Sequence, residues 1–438
     1  MKRAFRKAAT SIFLIVVVAF AARLEFAWSQ TAKIPREVLS LVPFQTETGH
    51  IAYSVATGKG YASPFQRDSG PTAWLAPVYP LLVAGIFKVF GVYTRASFFT
   101  AIFLNIAFSA ATCVPIFYAG KKVVGLGVGS GAAWLWALFT NAIMIPFEWI
   151  WDTSLAALLA AILLWATLEV AESERWLDWI GYGLLWGITA MTNPALAPGF
   201  PLLLGWLVYR GRRKWPLHLG KPAIASILAI LCCFPWTVRN FLVFHRFIPF
   251  RSNLAYELYI GNNENYDERR IRLPGVITQD LETLRYLQMG ETAFMDEEKR
   301  KAFQFILSHP RMELKLLGWR FVDFWMGVAD PWRTFSDSES LLIRGILLGN
   351  FLSSVGALLG IAALFVKRNA YALPLAVFPI FFPLLYYVTH TSLRYRHPVD
   401  PIVLLLTAIA AGTLMRWPRQ RSADGGRAVP TDLAAPFP

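Results

Sequence analysis

Apolar residues in this chain come in long unbroken runs, neither alternating nor confined to one helical stripe. Runs of roughly twenty residues extend from about Ala9 to Trp28 and recur at about 97–119, 123–145, 151–171, 178–209, 222–238, 341–366, 370–389 and 399–415. A helix needs about twenty apolar residues to cross the hydrocarbon core of a bilayer. Only helices or closed barrels satisfy their backbone there, and runs this long belong to helices. The pattern therefore predicts an all-α polytopic membrane protein. Segment 74–92 carries Pro77 and Pro80, and 178–209 carries Asn193-Pro194 and Pro198. Broken helices are tolerated where they line a cavity in the protein. The first is expected to be re-entrant or interfacial and the second to cross twice as a broken pair, giving a core of about ten spans.

Charge then orients the spans. Of 438 residues, 55% are hydrophobic and 16% charged, with a net charge of +14. The cations sit at the ends of apolar runs, so they read as topology determinants and not as a nucleic-acid surface. Lys2, Arg3, Arg6 and Lys7, Lys121-Lys122, the RGRRK run at 210–214, Lys367-Arg368 and Arg416 to Arg421 are all expected on the cytoplasmic side of the inner (plasma) membrane, with the N-terminus inside. Ala19-Phe20-Ala21 has the small-x-small form of a cleavage site, but apolar residues continue beyond it, so the first run reads as an uncleaved span. Arg23 and Glu25 near its end are expected to snorkel or pair.

The same topology divides the chain. The expected parts are a first span at 1–28, an exoplasmic loop at 29–96, a transmembrane core at 97–238, a small exoplasmic helical domain at 239–340, C-terminal spans at 341–416 and a disordered cytoplasmic tail at 417–438. The part at 239–340 is too polar to span and too long for a mere connection. It contains a helical stretch from about Asp280 to Trp325. The short turn PFEWIWD at 146–152 and the loop THTSLRYRHPVDP at 389–401 complete the outer face.

Soluble-enzyme signatures are missing from this pattern. No P-loop, dinucleotide fingerprint or HExxH occurs, and the six histidines show no metal-ligand spacing. Cys113, Cys232 and Cys233 all lie in apolar runs, which suggests neither a disulfide nor a zinc site. No metal ligand is assigned; a divalent cation stays open as a cofactor. The candidate chemistry falls to carboxylates and arginines at the outer surface. Glu47 opens the stretch 44–92 and is the leading candidate base, with His50 three residues on and on the same face if the segment is helical. Glu148 and Asp152 stand four apart at the mouth of a span; Asp152 fits the role of an N-cap equally well. Arg239, Arg251, Arg394 and Arg396, with Tyr395 between the last two, are candidate phosphate contacts, because guanidinium presents a planar fork of donors. Arg394 and Arg396 are cations on the side that topology disfavours.

At this point the residues resemble a known group. ETGHIAYSVATGKGYASPF followed by GPTAWLAPVYPLLVAGIFKVFG is similar to the first exoplasmic loop of bacterial family 39 glycosyltransferases, relatives of protein O-mannosyltransferases and of the lipid A aminoarabinose transferase within the GT-C superfamily. PWTVRNFLVFHRFIPFRSNLAYELYIGNN and RYRHPVDPIVLLL resemble later segments of that group, so the likeness covers most of residues 9–416. It implies a GT-C-like helical core that takes a sugar from a polyprenyl-phosphate carrier on the exoplasmic face, without a nucleotide, and passes it to a glycolipid, glycan or protein acceptor. The usual acidic residue of the first loop is Asp, often in an Asp-Glu pair; here a lone Glu47 stands in its place. Asp152 matches a second acidic position, and Arg394 and Arg396 match the basic motif before the last span. Either Glu47 or Asp152 is expected to remove the acceptor proton. Two other classes fit the residues: a transporter or flippase of lipid-linked sugars, favoured by the broken helices, and a non-catalytic partner in cell-envelope assembly.

Overall fold

The computed structural model describes residues 9–35, 38–39, 41–211, 219–264, 280–328 and 330–424. The cations at positions 2 to 7, most of the RGRRK run and the end of the tail lie outside the described residues. The described chain is built of helices with one isolated antiparallel bridge, Ala62 to Pro71. It is a multi-pass membrane protein. Five helices are long and apolar enough to cross a bilayer: Ile12–Thr31, Arg95–Val123, Thr153–Val170, Gly220–Phe244 and Leu341–Val366. Leu126–Leu138 and Thr140–Glu148 form a sixth, bent by 46°. Shorter apolar helices fill the gaps, among them Val78–Phe90, Ala372–Val388 and Asp400–Leu414.

Lipid is the solvent that this surface requires. Along Gly220–Phe244, Ile227, Ile230, Leu231 and Phe234 are all at least half exposed. A contiguous apolar face of that size is unsupportable in water. Its buried face meets Trp176–Thr192 at small residues. A Cβ on Gly183 would fall 2.4 Å from the carbonyl oxygen of Ala225. Close backbone approach supplies dispersion contact where lipid removes the hydrophobic drive between helices.

Both interrupted segments are divided or bounded at prolines. Val78–Phe90 has 13 residues, about 20 Å at 1.5 Å per residue, too short to cross. The run 178–209 divides into Trp176–Thr192 and Gly199–Gly211 around a short 3-10 turn at Pro194–Leu196. A second break, within 123–145, was not expected. It is explained by Arg23, which neither snorkels nor pairs. Its fully buried guanidinium donates to the carbonyls of Trp136 (3.1 Å) and Ala137 (3.0 Å), to Ala19 O and to Ser109 Oγ. Those donors satisfy carbonyls that the break at Phe139 removes from the helical ladder.

Between Gly220–Phe244 and Leu341–Val366 the chain forms Leu254–Gly261, Asp280–Met289, Glu291–Ser308 and Pro310–Met326. Buried Glu291 ties this part to the first loop. Its carboxylate accepts from Ala73 N (2.8 Å), Ser252 Oγ (2.7 Å), Tyr286 Oη (2.8 Å) and the Thr72 hydroxyl. Arg239 holds the same loop from the other side, donating to Thr72 O (2.7 Å) and Tyr61 O (2.8 Å) while stacking on Trp236.

Candidate active site

The chain's separate polar turns converge on one cavity. Glu47 reaches it from the first loop. Thr46 caps the helix Glu47–Ala56, accepting from Gly49 N at 3.4 Å, so the carboxylate sits in the first helical turn. Loss of solvent in the cavity pushes the Glu47 pKa above the usual carboxylate range, against the lowering effect of its backbone hydrogen bond and of Arg394. Its carboxylate carries no side-chain hydrogen bond or ion pair among the described residues, which leaves it free to accept a proton.

Asp152 arrives from the PFEWIWD turn, which Asn105 pins by donating to Trp149 O (3.0 Å) and Pro146 O (3.3 Å). Although it directly precedes Thr153–Val170, its side chain makes no capping bond. It accepts instead from Asn193 Nδ2 at 3.0 Å, a residue presented by the break after Trp176–Thr192. Desolvation raises its pKa to about 6, with Arg251, Arg394 and Asn193 restraining the rise.

The Arg394 guanidinium lies over the rings of Trp149 and Trp151, 4.4 and 4.6 Å from their centroids. Its Nη2 donates to Tyr395 Oη at 3.3 Å, whereas its buried Nη1 has no partner. The Tyr395 hydroxyl is 3.1 Å from His390 Nε2, and His390 Nδ1 is 3.4 Å from Glu257 Oε2. Burial lowers the His390 pKa, so the ring is neutral at pH 7. A neutral ring with Nδ1–H toward Glu257 accepts the Tyr395 proton at Nε2, which turns the phenolic lone pairs toward Arg394. The other oxygen of Glu257 accepts from Asn253 Nδ2 at 2.7 Å.

This relay depends on a close backbone approach. A Cβ at Gly261 would fall 1.7 Å from the Thr389 carbonyl oxygen. Gly261→Ala is therefore expected to push Glu257 and His390 apart and to cost about 1–3 kcal/mol, as overpacking does. Thermal unfolding of the purified variant measures this, and an unchanged midpoint would contradict it.

Of the residues singled out in the sequence, the cavity gathers Glu47, Asp152, Arg251, Arg394 and Tyr395. His50 lies on the Glu47 helix but does not line the cavity, and Glu148 is exposed at a helix end. Arg239 is engaged with loop carbonyls. Arg396 is fully buried, bonded to Asp400 at 2.6 Å, to Ser353 and Ser354, and to the Trp325 carbonyl. An i,i+4 ion pair thus gives its charge a structural role. Glu257, His390, Asn193 and Asn253 were not foreseen. The divalent cation left open by the sequence finds no cluster: among the described residues no three His, Cys, Asp or Glu side chains are grouped to hold a metal. Two arginines beside the cavity's carboxylates also oppose a cation there.

The chain matches no protein-family model. Over 81 residues it is 33% identical to the undecaprenyl phosphate-alpha-4-amino-4-deoxy-L-arabinose arabinosyl transferase of Pseudomonas aeruginosa, a stretch covering 18% of this chain and 15% of that protein. Among solved structures it is similar to the Archaeoglobus fulgidus oligosaccharyltransferase tethered with an acceptor peptide, with a TM-score of 0.53 and 13% identity over 97% of this chain and 52% of that one. The form of that protein in complex with Zn and sulfate gives 0.51 and 11%, over 94% and 50%. This chain thus spans about half the length of the oligosaccharyltransferase. At such identities the likeness shows the fold alone, the helical membrane architecture of those oligosaccharyltransferase structures.

Proposed function

We propose that this protein is a glycosyltransferase that moves a sugar from a polyprenyl-phosphate carrier to an acceptor hydroxyl or amine on the exoplasmic face of the inner membrane, with its N-terminus cytoplasmic. The observation that carries this reading is the pairing, in one cavity, of a buried arginine with an unsatisfied N–H and two desolvated carboxylates. An unpaired buried donor costs stability unless a ligand completes it. The undecaprenyl phosphate in the name of the Pseudomonas relative is a ligand of the matching charge.

In this mechanism Glu47 takes the proton of the acceptor as its oxygen or nitrogen attacks the anomeric carbon. The bond from that carbon to the phosphate oxygen breaks, and its electron pair leaves with the polyprenyl phosphate. Arg394, free at Nη1 and held by two tryptophans, meets the charge that gathers on the phosphate. Asp152, oriented by Asn193, holds a substrate hydroxyl. No step passes through a metal. The exoplasmic placement of 29–96 and 239–340 belongs to the same proposal, since both supply walls of the cavity.

Both carboxylates act ionised, so turnover should fall as pH drops, with an acid limb near the Asp152 pKa of about 6. Asp152→Asn should remove the limb that Asp152 sets and leave the one set by Glu47; a rate independent of pH between about 5 and 8 in the unsubstituted protein would contradict these roles. In cells, the mass of envelope glycolipids, glycans and proteins with and without the gene tests the function as a whole. A sugar-sized increment dependent on Glu47 is expected, and identical profiles would refute it.

A further inference from the structure

A second hollow adjoins the reaction cavity, between the chain that follows Gly220–Phe244 and one face of Glu291–Ser308. Its walls are largely apolar, including Ile248, Leu258 and Met295, and it shares Arg251 and Leu254 with the cavity. It opens where a membrane helix ends: Arg246 and Phe247, both on its rim, follow Phe244 by two and three residues. Phe247 is 78% exposed and Phe303 47% exposed at this mouth. A chain in the outer leaflet can therefore enter sideways without crossing water.

The rim is cationic. Arg246 is matched by Asp296 at 2.6 Å, whereas Lys299 and Arg251 carry no ion pair among the described residues. Such a groove suits an amphiphile with an anionic headgroup. The groove shares neither Arg394 nor Tyr395, where the carrier phosphate is placed. Direct displacement requires the nucleophile on the face of the anomeric carbon away from that phosphate.

We infer that this groove seats the acceptor, and that the acceptor is a lipid whose apolar chain lies over Leu258 and Met295 while its anionic headgroup meets Lys299 and Arg251. The inference rests on the glycosyltransfer reading above. A soluble peptide or glycan would leave the membrane-level apolar mouth without a purpose.

Photoactivatable phosphatidylglycerol and phosphatidylcholine of equal chain length, each in nanodiscs with the full chain, provide the test. Phosphatidylglycerol should label the 291–308 peptide about fivefold more than phosphatidylcholine, the preference expected from one cation near a lipid headgroup. Lys299→Glu, an exposed change that leaves the fold intact, should abolish the preference, and Ala255→Trp should block the label by filling the groove. Equal labelling by both lipids would mean an annular contact only and overturn the site. Stronger labelling of the same peptide by a photoactivatable polyprenyl phosphate would give the groove to the donor and likewise overturn the assignment. Selective phosphatidylglycerol labelling in a protein that never releases carrier phosphate would refute glycosyltransfer alone and leave an anionic-lipid site standing.

Discussion

Glu47→Gln is expected to lower turnover by roughly a hundred- to ten-thousand-fold, the range of a positioned general base, with carrier binding nearly intact. The substitution keeps the helix cap at Thr46 and the shape of the cavity wall, so the loss isolates the proton acceptor. Asp152→Asn is the matched comparison. Its carboxylate is already engaged by Asn193, so its loss should weaken substrate placement and reduce turnover less than Glu47→Gln does. Single-turnover rates with saturating carrier measure both. If Glu47→Gln keeps a near-normal rate while Asp152→Asn loses it, the two roles are exchanged.

Arg394→Lys should cost nearly as much as Arg394→Ala in turnover, roughly a hundred- to a thousandfold, although it retains the charge. The reason lies in the two indole rings at 4.4 and 4.6 Å: a planar guanidinium can stack on an indole face, and an ammonium cannot. Lysine also lacks the fork that donates to Tyr395 from one nitrogen while aiming the other at a phosphate. The loss should appear mainly in the chemical step and less in carrier affinity, since the contact strengthens as charge moves onto the phosphate. Undiminished turnover in both variants would remove Arg394 from the site and leave Arg251 as the candidate.

Much of the scaffold was legible because a bilayer imposes simple rules. Twenty apolar residues mark a span, and prolines at 77, 194 and 198 mark the places where backbone turns aside. The break at Phe139 was hidden because its cause, the Arg23 guanidinium, comes from a helix more than a hundred residues away. Part of the site was legible in the same way. Asp152 is a polar residue at the start of an apolar run, and Glu47, Arg251 and Arg394 stand in the polar segments between runs. Their neighbours Glu257 and His390 join the cavity only because Gly261 lets two backbones touch, a tertiary event with no local pattern. The different fates of Arg394 and Arg396 were in principle readable, since Asp400 stands four residues after the second and offers it a partner. Asn193 was read only as half of a helix break. The break also frees its side chain to hold Asp152.

The most direct test supplies the purified full chain, in detergent and without any membrane gradient, with undecaprenyl phosphate bearing a radiolabelled sugar and with envelope lipid extract as acceptor. The proposed chemistry predicts release of undecaprenyl phosphate together with transfer of label to the extract, both lost in the double variant Glu47→Gln, Asp152→Asn. Carrier that stays intact in detergent, and moves only across sealed vesicles, would contradict a glycosyltransferase and mark a transporter.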